Sequence, residues 1–184
     1  MSAVVNTTVG GGLRALDWVG LWVGLLSLRL LMAWEFGEAG WEKWAGENWF
    51  ADIQSQFPLP FNLVPPDISW AMATGFELVG AIALLIGLGT RFFSFSLVIL
   101  SVVAMLAVHW PESWSTLGEL MKGYVISDDG HGNFKLPVLF IGMLLPLVFM
   151  GPGRLSIDHF IRQRWFKSCG ASGGAAPTKA PADR

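Results

Sequence analysis

Four apolar runs divide the chain, at about 18–36, 69–89, 92–110 and 136–151. All four are expected to cross roughly 30 Å of hydrocarbon at about 1.5 Å per helical residue, the short last one being extended at either end. This pattern predicts an all-α integral membrane four-helix bundle. Residues 1–16 are a polar, Gly-containing lead, 17–167 the transmembrane domain, and 168–184 (SCGASGGAAPTKAPADR) a tail with the Gly/Ala/Pro composition of disorder. The link Gly89-Thr90-Arg91 is so short that the second and third spans are expected as antiparallel neighbours.

The two longer connections keep some periodicity. In the one after the third span, Trp110, Trp114, Leu117, Met121 and Tyr124 recur at helical spacing and predict an amphipathic segment lying on the membrane surface. The one after the first span has a rougher version in Trp41, Trp44, Trp49, Ile53 and Phe57, then FPLPFNLVPP, which its prolines keep out of a helix. Together they are expected to cover the outer end. The Trp residues read either as interfacial anchors or as walls that stack on a flat ligand.

Charge sets the expected orientation, because Lys and Arg near a membrane stay on the cytoplasmic side. Arg14, Arg91, Arg154, Arg162, Arg164 and Lys167 fall on one side, whereas the two longer connections are acidic and hold Lys43, Lys122 and Lys135. Both termini are therefore expected in the cytoplasm, with the protein in a bacterial inner membrane. Composition agrees: 53% of residues are hydrophobic, 14% charged, and the mean hydropathy is +0.51. A net charge of −2 argues against a nucleic-acid partner. The lone Cys169 excludes an intrachain disulfide. Arg29 interrupts the first run and no A-x-A site follows, so that run is expected as a retained helix rather than a signal peptide.

Two charges fall inside predicted spans, Arg29 and Glu77, and a charge at the bilayer centre costs about 2.5 to 3.5 kcal/mol on insertion scales. Counted from Phe36 and Ser69, both lie roughly 10 to 12 Å below the outer boundary. An Arg29–Glu77 ion pair is therefore expected, with Glu35 and His109 above it near the outer mouth. It reads either as a structural pair or as a polar site for a redox or anionic ligand. His109, His131 and His159 fall on opposite sides of the membrane, and no metal site is expected. The run Asp128-Asp129-Gly130-His131-Gly132-Asn133 lacks the closing Glu of a calcium loop and reads as a turn. No nucleophile elbow, P-loop or dinucleotide fingerprint is present.

LRLLMAWEFGEAGWEK, GFELVGAIALLIGLGTR and GPGRLSID, in that order, resemble the DoxX family of small four-helix membrane proteins over roughly residues 25–160. The signals are Arg29 with Gly40 and Lys43, then Glu77 with Gly80, Gly87 and Thr90-Arg91, then Gly151-Pro152-Gly153-Arg154 leading to Ser156 and Asp158. The resemblance implies a membrane redox subunit linked to quinone or thiol stress, with Arg29, Glu77, Glu35, His109 and Lys43 as ligand-binding candidates. Gly80, Gly87, Arg91, Gly151, Gly153, Arg154 and Asp158 are implied as structural. It equally implies a non-catalytic scaffold for a partner complex or for maturation and export of a metal-binding peptide, with homo-oligomerisation open. The sequence reveals no electron carrier of its own, so a redox role calls for quinone or a partner protein. The very Trp-rich first outer connection departs from the family pattern.

Overall fold

The computed structural model describes residues 2–171 apart from Asp128, with side chains over 18–164 save Leu21 and Asp128. Among the described residues all regular structure is helical: α1 (Ser2–Ala45), α2 (Phe50–Ile53), α3 (Pro66–Ile86), α4 (Thr90–Ala104), α5 (Leu117–Lys122), α6 (Lys135–Met150) and α7 (Ile157–Ala171). A π-helical turn, Met105–His109, extends α4. Trp18–Ala45, Pro66–Ile86 and Thr90–His109 are long and apolar enough to cross a membrane, and Lys135–Met150 is a shorter apolar helix.

The long helices pack in a ring, α1 on α3, α3 on α4, α4 on α6 and α6 on α1. Met32, Leu84, Leu97, Leu144 and Leu147 fill its centre, each fully buried. Outward faces carry the lipid-compatible surface, including Leu31, Val79, Ile82, Phe95 and Phe149. Where α3 meets α4, Gly87 closes α3 with a φ of +70°, so that Gly87 N–H and Leu88 N–H both reach the Ala83 carbonyl. Following the orientation expected from charge, the end bearing that turn is labelled inner and the end bearing the two long connections outer.

Several boundaries differ from the sequence reading. The first helix does not stop near Phe36 but runs nine residues further, to Ala45. The lead over 2–16 continues α1 in its backbone, and 168–171 belong to α7; the expected tail over 172–184 lies outside the described residues. α7 itself was not anticipated, although Ser156 accepts a hydrogen bond from His159 N–H and Asp158 follows in the first turn, a helix-start pattern.

The expected amphipathic helix over 110–124 is confined to Leu117–Lys122. Trp110 is extended, Pro111 follows it, and a capping box of Thr116 and Glu119 starts the helix late. Trp110 and Tyr124 pack instead on Phe134, while Trp114, Leu117 and Met121 are exposed. In the first connection, Phe50 and Phe57 fold onto Trp70, Ala73 and Ala107, covering that part of the outer end.

Candidate functional site

Helix direction decides where the charged side chains go. Side chains lean toward the N-terminus of their own helix. α1 runs from the inner to the outer end and α3 runs back, so Arg29 leans inward whereas Glu77 leans outward.

The register follows from two close contacts. A Cβ built on Gly37 would lie 3.5 Å from Ala81 Cβ, and one on Gly40 would lie 3.0 Å from Glu77 Cβ and 2.9 Å from Leu78 Cγ. Gly40 is thus the point where α1 backs onto Glu77, and a larger residue there would push the two helices apart. Lys43, one turn further out, leans back, and its Nζ donates to Glu77 Oε1 at 2.9 Å.

Glu77 lies eleven residues in from Pro66 and nine before Ile86, so it sits near the middle of α3 rather than 10 to 12 Å below its outer end. It is 2% exposed, and its second carboxylate oxygen, Oε2, has no hydrogen-bond partner among the described residues. The Lys43 side chain is 18% exposed. An ammonium has three N–H donors, and Glu77 Oε1 takes one of them. One to two turns outward on α3 come Thr74 and Trp70, and Trp70 belongs to an aromatic cluster. Phe50 meets Phe57, Trp70 and Trp49 at centroid distances of 5.1, 5.0 and 5.0 Å, all edge-on.

The expected Arg29–Glu77 pair does not form. Arg29, 1% exposed, donates from Nε to Leu84 O (2.8 Å), from Nη2 to Leu85 O (3.0 Å), and from Nη1 to Pro152 O (2.9 Å) and Leu155 O (2.6 Å). The first two acceptors lie seven and eight residues past Glu77, roughly 11 Å further in. α1 continues past Phe36, and with Gly40 against Glu77, Arg29 lies eleven residues further in than the level of Glu77. Glu35 is corrected with it: five residues before Gly40, it is part-buried on the inner side of Glu77, not above it.

His109 stays at the outer end. It lies twelve residues past Leu97, which packs at Gly80, so it stands roughly 13 Å outward of Glu77 and the two do not form one site. Its Nδ1 is 2.7 Å from Asn133 Oδ1. Asn133 Nδ2 donates to Ile126 O, which fixes the amide and makes His109 Nδ1 the donor. Asn133 was missed in the sequence, where it read as turn-forming.

The residues assigned a structural part gather at the inner end, with Gly80 as the exception at the α3–α4 contact. A Cβ on Gly87 would meet Ser156 Cβ at 2.6 Å and Arg29 Nη2 at 2.7 Å. Asp158 accepts from Gly89 N–H (2.9 Å) and Thr90 N–H (3.1 Å), capping α4 from α7, and its own N–H donates to Gly87 O. Arg91 donates to Phe149 O at 3.1 Å and borders Gly151. Arg154, just past Gly153, lies 5.7 Å over the Trp22 ring. Arg29 is thereby the centre of a clasp joining α1, the end of α3 and the 151–156 turn.

Two comparisons bear on these residues. The family model described as DoxX matches residues 24–110, a stretch that contains Arg29, Lys43 and Glu77. An uncharacterised protein of Haemophilus influenzae is 44% identical over 145 residues, covering 79% of this chain and 87% of that protein. No solved structure matches the chain significantly.

Proposed function

Because the chain belongs to the DoxX family of membrane proteins, we propose that it spans a bacterial inner membrane four times with both termini inside, and binds a quinone-type ligand at Glu77 and Lys43. The observation that carries this reading is the half-satisfied carboxylate. A buried Glu77 with one oxygen on Lys43 and the other without a partner is costly unless a further donor completes it. A quinol hydroxyl supplies that donor to Oε2, while the spare Lys43 N–H groups suit a quinone carbonyl oxygen. Trp70, half-buried two turns outward on α3, supplies the nearby aromatic character that suits a flat head group. A bound quinol would supply two electrons, taken by a partner redox protein, and two protons, of which Glu77 Oε2 would accept one and bulk water the other. Arg29 takes no part in the ligand.

The test is titration of the detergent-purified protein with a short-chain ubiquinone, followed by quenching of tryptophan fluorescence and by thermal unfolding. Saturable quenching in the wild type is expected. Glu77→Gln is expected to weaken binding at least about tenfold, the worth of one hydrogen bond to a charged group, with little change in the melting temperature. Unchanged affinity in Glu77→Gln, or no spectral response of the wild type to either quinone or quinol, would sink the proposal.

A second reading is a scaffold. It is supported by Trp34, Trp41 and Trp44 on α1, all strongly exposed and available to a partner's helix. Capture of a stable partner by a chain in which Glu77→Gln leaves function intact would favour it.

A further inference from the structure

A groove of about 530 Å³ opens at the inner end, between the start of α4 and α7. Its lining includes Arg91, Phe92, Pro152, Asp158, Ile161 and Arg162. We propose that this groove is a binding site for one anionic phospholipid, its phosphate held by Arg91 and Arg162 and its upper acyl carbons laid against Phe92 and Ile161. The proposal does not depend on the ligand at Glu77.

Charge and position favour this occupant. Arg91 is the second residue of the span Thr90–His109, so its guanidinium stands where that span leaves the apolar layer, at headgroup depth. Arg162 faces it from α7. One nitrogen of Arg91 is held by Phe149 O, which orients a planar fork whose other N–H donors suit phosphate oxygens. The acid in the groove, Asp158, is already occupied: both its oxygens take backbone N–H groups of Gly89 and Thr90 at the start of α4. The carboxylate therefore complements the α4 terminus and leaves the two arginines in excess.

The walls decide between a lipid and a free anion. Phe92 and Ile161 are at least half exposed beside the arginines, and Phe160 on α7 and Phe149 on α6, whose carbonyl holds Arg91, are exposed as well. Inorganic phosphate gains nothing from such surface, whereas an acyl chain removes it from water. Two guanidinium groups above apolar side chains match a negatively charged headgroup with its tail attached.

The experiment is native mass spectrometry of the full chain in detergent, with phosphatidylglycerol, cardiolipin and phosphatidylcholine offered at equal concentration. One anionic lipid retained per chain in preference to phosphatidylcholine is the expected result. Arg162→Gln should cut that preference roughly fivefold, the worth of one basic residue at a lipid surface, and Arg162→Lys should keep most of it. Arg91→Gln with Arg162→Gln should bring the preference close to parity. Since Arg91 also holds Phe149 O, the exposed Arg162 carries the test if the double variant fails to fold. Equal retention of phosphatidylcholine by the wild type, or a preference untouched by Arg162→Gln, overturns the proposal. So does displacement of the lipid by low millimolar inorganic phosphate, which would mark a free-anion site.

Discussion

Arg29 and Glu77, the two buried charges among the described residues, are treated in opposite ways. At the inner end, Arg29 spends its donors on four backbone carbonyls from two separate parts of the chain. Near the middle, Glu77 has a single cation, Lys43, and an oxygen with no partner among the described residues. A buried charge with every nitrogen hydrogen-bonded is a fixture, since any other arrangement leaves carbonyls and guanidinium unmatched. An incompletely satisfied one has capacity for a guest. Sequence position alone does not distinguish them, because both are single ionised residues in apolar runs; what separates them is how many acceptors or donors the fold brings within reach.

The largest effect is expected from Arg29→Met. Four hydrogen bonds to a charged donor are lost, and the variant should lose at least about 4 kcal/mol. Thermal unfolding and the yield of monodisperse protein in detergent measure it. Arg29→Lys should not restore the yield, because an ammonium cannot span four carbonyls in a planar fork. An Arg29→Met protein that melts like the wild type would end the contrast between fixture and site.

Gly87→Ala comes next, at about 3 kcal/mol, since it places a side chain at positive φ against Ser156 and Arg29. The same measurement checks it.

In the middle of α3 the effects should be smaller and coupled. Lys43→Met leaves the Glu77 carboxylate buried without its cation and should cost about 3 kcal/mol, while Glu77→Gln should cost under about 1 kcal/mol. In the double variant much of the Lys43→Met cost should be recovered. A double-mutant cycle with a coupling energy below about 0.5 kcal/mol would show that the pair is not one unit.

The smallest effect lies in the second outer connection. Glu119 is held below the usual carboxylate range chiefly by the Ser115 N–H, then by the Thr116 N–H. Its folded value is depressed, so its support of α5 is complete above the unfolded value near pH 4.3 and fades as pH falls through the lower folded one. Protection factors against hydrogen exchange over 115–122 should fall below about pH 4, and Glu119→Gln should remove that dependence.

Much of the architecture was legible because apolar length is a direct consequence of hydrocarbon thickness. The runs at 69–89 and 92–110 and the tight Gly89-Thr90-Arg91 link correspond to α3, to α4 with its π-helical extension, and to their close antiparallel packing. Lys43 and Glu77 were both recognisable as candidates, yet their pairing was not. The polar residues Glu38, Glu42 and Lys43 hide the continuation of α1 to Ala45, because a helix that leaves the apolar layer keeps its hydrogen bonds while losing its hydropathy. Once that end is restored, the lean of side chains toward each helix's N-terminus gives Lys43 to Glu77 and sends Arg29 the other way. Asn133 and α7 depended on hydrogen-bonded turns, whose partners come from distant segments or from a cap of a single serine.

The Arg29 clasp also has a history within each molecule. Its last two acceptors, Pro152 O and Leu155 O, lie 123 and 126 residues downstream. A ribosome delivering this chain hands the insertion machinery a first segment bearing a guanidinium whose full set of acceptors has not yet been translated. The inner end therefore cannot close fully on Arg29 before the 151–156 turn has been made.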